Sequence, residues 1–174
     1  MWITLIAVSI FICSLCYLVN TVKSIKLKNL EIKKQDLELK EKQRILDQID
    51  QVASSAIEMS PNELFSLMSQ VNPITKKRIL SKYDFNGVYI LHNKDKDKYY
   101  VGQSVQVIHR VNQHLTGSGN NSVYTDYKNG DAFMIRMIGL KESKYDTLNH
   151  LERDMISKYD SYNQGYNNTK GNRG

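Results

Sequence analysis

Residues 87–114 read GVYILHNKDKDKYYVGQSVQVIHRVNQH. Two runs rich in tyrosine and β-branched residues, Gly87–His92 and Lys98–Gly102, flank the polar tip Asn93-Lys94-Asp95-Lys96. That pattern predicts a β-hairpin. A hairpin symmetric about the tip sets Tyr89 across from Tyr100, and directly opposed residues share a face, so two phenol hydroxyls point into the same space. Ser104 then reads as the cap of a helix whose buried stripe is Val107, Ile108, Val111 and Leu115. Arg110 and His114, four apart, share a different face of that helix.

Downstream, TGSGNNS at 116–122 is a loop. Asp131 to Leu140 alternates Phe133, Ile135 and Met137 with Met134, Arg136 and Ile138, which predicts a third strand. Asp146 reads as the cap of a helix with the core stripe Leu148, Leu151, Met155 and Tyr159, and Glu152 lies beside that stripe. Tyr162 to Gly174 is rich in Asn, Gly and Tyr and reads as a loop or a short edge strand.

Upstream the composition changes. Trp2 to Val19 is a run without a charge, close to the roughly 20 residues a helix needs to cross a bilayer. It has no basic n-region before it and no small-x-small site after it, which argues for an uncleaved anchor over a signal peptide. Cys13 and Cys16 fall inside this run, in no metal-ligand pattern. Lys23, Lys26 and Lys28 follow it, so the positive-inside rule predicts a single-pass protein of the cell membrane, N-terminus outside and the bulk in the cytoplasm. Lipid is thus an expected partner of residues 1–20. Residues 21–58 lack Pro and Gly and favour helix. Ile25, Ile32, Leu39, Leu46 and Ala53 recur every seven residues, but the second seam is Lys28, Gln35, Lys42 and then Ile49. A dimeric coiled coil needs both seams, so a helical stalk is expected and its self-association as a homo-oligomer is left open. Ser60-Pro61-Asn62-Glu63 has the form of a capping box with proline in the first turn. Residues 59–83 read as a helical linker broken at Asn72-Pro73, with a basic cluster at Lys76, Lys77, Arg78 and Lys82.

The net charge of +6 does not mark a nucleic-acid surface, because it is spread out: residues 84–174 carry 12 basic and 10 acidic side chains. Side-chain chemistry says more. Tyr89, Tyr100, Arg110, His114, Glu152 and an asparagine of the tail converge if the three strands form one sheet with helices packed on it. One carboxylate with asparagine and water suits a single hard divalent cation. A guanidinium matches a phosphate, and a phenol or imidazole is a proton acceptor for water. That set fits metal-assisted phosphodiester hydrolysis.

Gly87-Val88-Tyr89 and Tyr100-Val101-Gly102-Gln103-Ser104 resemble the signature of the GIY-YIG nuclease superfamily. Arg110, ten residues after Tyr100, matches its arginine, and His114 its His/Tyr position. Leu151-Glu152 with Ile156 is similar to its glutamate helix, and Gly165-Tyr166-Asn167-Asn168-Thr169-Lys170-Gly171 to the tail of phage-type members. Val stands for Ile in both triplets, and Asn172 for the second glycine of the tail. The resemblance covers about residues 85–174. It implies an α+β fold with a small three-stranded antiparallel sheet and flanking helices over 84–174. It further implies a single-metal endonuclease, with Mg2+ or Mn2+ on Glu152, the scissile phosphate on Arg110, one of Tyr89 and Tyr100 activating water, His114 positioning or relaying a proton, and Asn167 as the family's asparagine. The expected protein is a membrane-anchored DNA endonuclease acting on incoming phage or transforming DNA. The alternative is a module at the membrane that binds DNA or a partner without cutting.

Overall fold

The computed structural model of the chain describes residues 2–71 and 84–172, with side chains from residue 17 onward. The basic cluster expected at Lys76–Lys82 and the break at Asn72-Pro73 lie outside the described residues. Two compact units are present, Met1–Asp47 and Gln48–Gly174.

The first unit is helical and belongs to α1 (Trp2–Ser54). Its stripe of Ile25, Ile32, Leu39 and Leu46 is exposed throughout. Exposed pairs one turn apart, such as Lys40 with Asp36 at 2.8 Å, lace its polar faces. Among the described residues no helix is long and apolar enough to cross a membrane. Most of the run assigned to an anchor, residues 2–16, has side chains outside the described residues, so the anchor gains no support from the structure.

In the second unit the helical stretch stops at Ser54, and the chain continues as β1 (Ile57–Met59) and α2 (Pro61–Ser69). The capping box forms as its residues predict: Ser60 Oγ accepts from Glu63 N, and Glu63 Oε2 accepts from Ser60 N at 2.7 Å. Next come β2 (Gly87–Asn93), β3 (Lys98–Ser104), α3 (Val107–Leu115), α4 (Asn121–Lys128), β4 (Phe133–Gly139), the short α5 (Leu140–Ser143) and α6 (Leu148–Lys158). The fold is α+β, as expected, but the sheet has four antiparallel strands in the order β1-β4-β2-β3, not three. The extra strand, Ile57–Met59, straddles the expected boundary between the stalk (21–58) and the linker (59–83). Propensity is a weak prior that tertiary pairing overrides: Ile57, Glu58 and Met59 pair with Met137, Arg136 and Ile135, and Arg136 Nε donates to Glu58 Oε2 at 2.6 Å.

Each face of the sheet carries a core. Tyr89, Leu91, Ile135 and Met137 pack with α2, α3 and α4 through Leu64, Val107, Val111 and Val123. Val88, Ile90, Val101 and Ile138 pack with α6 through Leu151, Met155 and Ile156. Ile49, Val52 and Ala53, at the end of α1, bury in this second core. Two residues of the heptad seams, Ile49 and Ala53, therefore serve the core of the second unit itself.

The hairpin register corrects one expectation. Tyr89 pairs with Gly102, and Tyr100 with Leu91. The turn is Lys94–Asp97, one residue later than the tip drawn from composition, because Asn93 belongs to the strand. Asn93 is fully buried. Its Oδ1 accepts the N–H groups of Asp95 and Lys96, both at 3.1 Å, while its Nδ2 donates to Asp131 and to the Tyr166 hydroxyl. A register change of two leaves every side chain on its face, so Tyr89 and Tyr100 remain on one face as diagonal neighbours.

Candidate active site

Tyr89 is the centre of the site's closed half. Its ring lies over Gly102, the residue paired with it. A Cβ at Gly102 would stand 2.3 Å from Tyr89 Oη, closer than any real contact, so only glycine allows this ring position. The Tyr100 ring sits beside it at 6.1 Å between centroids, and the His114 ring touches both, at 5.4 and 4.7 Å.

Helix α3 brings Arg110 and His114 to these phenols. Ser104 is not its cap; the N-cap is Gln106, which makes no side-chain bond. The free N–H groups of the first turn go to Asp84 instead, which accepts from Ile108 at 2.8 Å and from His109 at 3.0 Å. A carboxylate at a helix N-terminus satisfies orphan donors and favours the macrodipole. The helix is thereby pinned to the residue that precedes the hairpin.

His114 is fully buried, not set on an open face. Its Nδ1 accepts the backbone N–H of Asn120 at 2.9 Å. A neutral imidazole has one N–H, so the proton must be on Nε2. Nε2 lies 2.9 Å from Tyr89 Oη and therefore donates to it. The bond to Asn120 depends on Gly119, where a Cβ would meet the imidazole at 2.6 Å. Burial, and secondly the Arg110 charge, push the His114 pKa down to about 4, so the ring stays neutral near pH 7.

Arg110 is held by Gln113, whose Oε1 accepts from Nη1 at 2.7 Å. Burial pushes both phenols up. Tyr100 raises Tyr89 further, and the Arg110 guanidinium pulls it back. For Tyr100 the neighbouring Tyr89 hydroxyl and then Arg110 pull down, while the Glu152 charge pushes up. Arg110 is thus the cation common to Tyr89, Tyr100 and His114.

Glu152 belongs to α6, on the other face of the sheet. The cap of α6 is Thr147, whose Oγ1 accepts from His150 N; Asp146 does not fill that place. Glu152 is 8 % exposed. Its Oε2 accepts from Gln103 Nε2 at 2.9 Å. Among the described residues no group of three or more His, Cys, Asp or Glu is gathered to hold a metal. A single carboxylate still suits Mg2+, which keeps several waters and takes one or two carboxylates together with substrate phosphates.

Asn167 has a different post. Its Nδ2 donates to Val101 O at 2.7 Å and its Oδ1 accepts from Val101 N at 2.8 Å. Tyr166 N donates to Tyr99 O at 2.8 Å. The tail therefore closes the outer edge of β3, and both groups of the Asn167 amide are used there. Gly165 permits the approach, since a Cβ would lie 2.1 Å from Tyr99 O. Of the six residues singled out from sequence, Tyr89, Tyr100, Arg110 and His114 come together, Glu152 acts on Tyr100 through its charge, and Asn167 supports the strand that carries Tyr100. Sequence reasoning missed Asp84, Gln113, Asn120 and Asn149, whose Oδ1 accepts from Gln103 Nε2 at 2.6 Å, and gave Gln103 no role of its own. Only Gln103 carried a signal, its place in the YVGQS run.

Residues 85–167 match the family model of the GIY-YIG catalytic domain. No curated protein matches the sequence. Among solved structures, one similar chain is a mutant form of the catalytic domain of intron endonuclease I-TevI, at 19% sequence identity, covering 51% of this chain and 98% of that one with a TM-score of 0.38. A likeness of that size carries no weight for mechanism. The family match, spanning the hairpin, α3 and α6 just described, identifies residues 85–167 as a GIY-YIG catalytic domain and the chain that carries it as an endonuclease.

Proposed function

We propose that the protein hydrolyses DNA phosphodiester bonds with the help of one divalent cation. The observation that carries this reading is the convergence of two phenols and a guanidinium on a neutral, Nε2-protonated histidine, with a lone carboxylate, Glu152, whose charge reaches Tyr100. Arg110, fixed by Gln113, binds the scissile phosphate. Tyr89 takes the proton of the attacking water. Its oxygen already receives the Nε2–H of His114, and a hydrogen bond to the charged form favours the phenolate, as does Arg110. His114 cannot take that proton while Nδ1 holds the Asn120 N–H, so its part is to orient Tyr89. Glu152 would hold Mg2+ or Mn2+, and the chemistry that ion would supply is charge neutralisation in phosphodiester hydrolysis.

The active form of Tyr89 is the deprotonated one, and burial keeps its pKa above the ordinary value of 10.0. The rate is therefore expected to rise with pH through the neutral and mildly alkaline range, and Tyr89→Phe to remove that rise. The reading itself is tested by incubating the purified protein with plasmid and with single-stranded DNA, with and without Mg2+. Cleavage that needs Mg2+ supports it. Binding without cleavage on every DNA favours the alternative of a non-cutting module at the membrane.

A membrane address and an action on incoming DNA belong to this proposal and rest on the sequence alone, on the uncharged run 2–19 and the lysines after it. Tethering at the entry point raises local concentration there. If protein lacking residues 1–20 protects cells from incoming DNA as well as the full chain does, the address has no role. Homo-oligomerisation through 21–58 rests on the exposed stripe of Ile25, Ile32, Leu39 and Leu46; sedimentation as a monomer removes it.

A further inference from the structure

We propose that Gln103 is a positioning residue that turns Glu152 so that a divalent cation meets it through Oε1 alone, with Asn149 as the anchor for Gln103. The inference rests on Glu152 being the metal ligand of the proposed function.

Gln103 pairs with Val88 in the hairpin. Its side chain therefore leaves the sheet on the α6 face, opposite to Tyr89 and Tyr100. Its Nε2 donates twice, to Asn149 Oδ1 at 2.6 Å and to Glu152 Oε2 at 2.9 Å. Asn149 and Glu152 lie three apart, hence neighbours on one side of the helix. A carboxylate can only accept, which fixes the nitrogen end of the amide toward Glu152. Both amide hydrogens are then committed, and the Gln103 side chain has no freedom to turn away. The backbone N–H of Asn172 also donates to Oε2, at 3.4 Å.

Glu152 is thus an almost wholly buried carboxylate with unequal oxygens. Oε2 has two donors. Oε1 has no protein partner among the described residues. Ser161 Oγ is the only fully buried side-chain polar atom without a partner among the described residues, so the unpaired Oε1 is the oxygen of Glu152 that reaches solvent; the pairing of Oε2 leaves Oε1 as the atom that water or a cation meets. Second-sphere donors of this kind orient metal-binding carboxylates and raise metal affinity. Gln103 links the strand that carries Tyr100 to the helix that carries Glu152, so it also sets the distance between the two parts of the site.

The test is Mn2+ binding to the full chain, read as free Mn2+ by electron paramagnetic resonance, with no DNA present. Gln103→Met is expected to raise the dissociation constant about tenfold, and its DNA cleavage to recover as Mn2+ is raised. A residue that only packed the sheet would not show that recovery. Glu152→Gln is expected to abolish binding. Loss in Glu152→Gln with wild-type affinity in Gln103→Met overturns the positioning role and leaves the metal reading standing. Wild-type affinity in Glu152→Gln overturns both. Should Gln103→Met fail to fold, Asn149→Ala decides: a weaker affinity supports the bridge, and an unchanged one overturns it.

Discussion

The two halves of the site are finished to different degrees. On the α3 face, Tyr89, His114 and Asn120 form a closed chain of hydrogen bonds within the protein, and Asp84, Gly102 and Gly119 are shaped around it. On the α6 face, Glu152 keeps one oxygen unpartnered among the described residues. The difference teaches that the first half is set by folding, while the second, on the proposed function, would be completed by a cation. Substitutions in the closed half should therefore cost both stability and activity, and substitutions in the open half mainly activity.

Tyr89→Phe puts the comparison at greatest risk. It removes the proposed base and leaves the buried Nε2–H of His114 without an acceptor. DNA cleavage should fall by about 10²–10⁴-fold, and unfolding free energy by about 1–3 kcal/mol, measured by single-turnover cleavage and urea melts. A loss of activity with no loss of stability would mean that the His114 bond contributes nothing to the fold.

The pH dependence of stability is the next effect in size. His114 titrates at about 4 when folded against a reference of 6.5. The unfolded chain therefore binds the proton first, and stability falls as pH is lowered through that window, by up to about 3 kcal/mol, then levels off below it. In His114→Gln this fall should be absent between pH 7 and 4.

Gly102→Ala drives a methyl group into the Tyr89 ring. A loss of about 1–3 kcal/mol is expected, with cleavage reduced because the phenol must shift. Smallest is Asp84→Ala, which uncaps α3 from a distance at a cost of about 0.5–2 kcal/mol. A thermal melt unchanged by it would show that α3 holds Arg110 and His114 without that cap.

Much of this could be read from residue patterns. The alternation at 87–92 and 98–102, the stripe of α3 and the stripe of α6 each follow a local period, so the strands and helices that bear the site were legible. So were five of the residues gathered around it. What escaped depends on contacts between distant segments. The cap of α3 is Asp84, on the far side of the hairpin, whereas reading along the chain favours the adjacent Ser104. The strand at 57–59 forms only because β4 offers it an edge. Helix α4 is short, its only fully buried side chain is Val123, and no strong periodicity announces it. Asn167 illustrates a further limit. A motif marks that an asparagine matters, but only the fold reveals that its amide closes the edge of β3 rather than facing the phenols.

The central claim is that both halves are needed for one reaction. Its most direct test is single-turnover cleavage of plasmid DNA in Mg2+ by Arg110→Ala and Glu152→Gln, with melting curves recorded beside it. The account predicts at least about a hundredfold loss in each, with Glu152→Gln melting close to the unaltered protein. Cleavage at the unaltered rate in either variant, at unchanged stability, would contradict it.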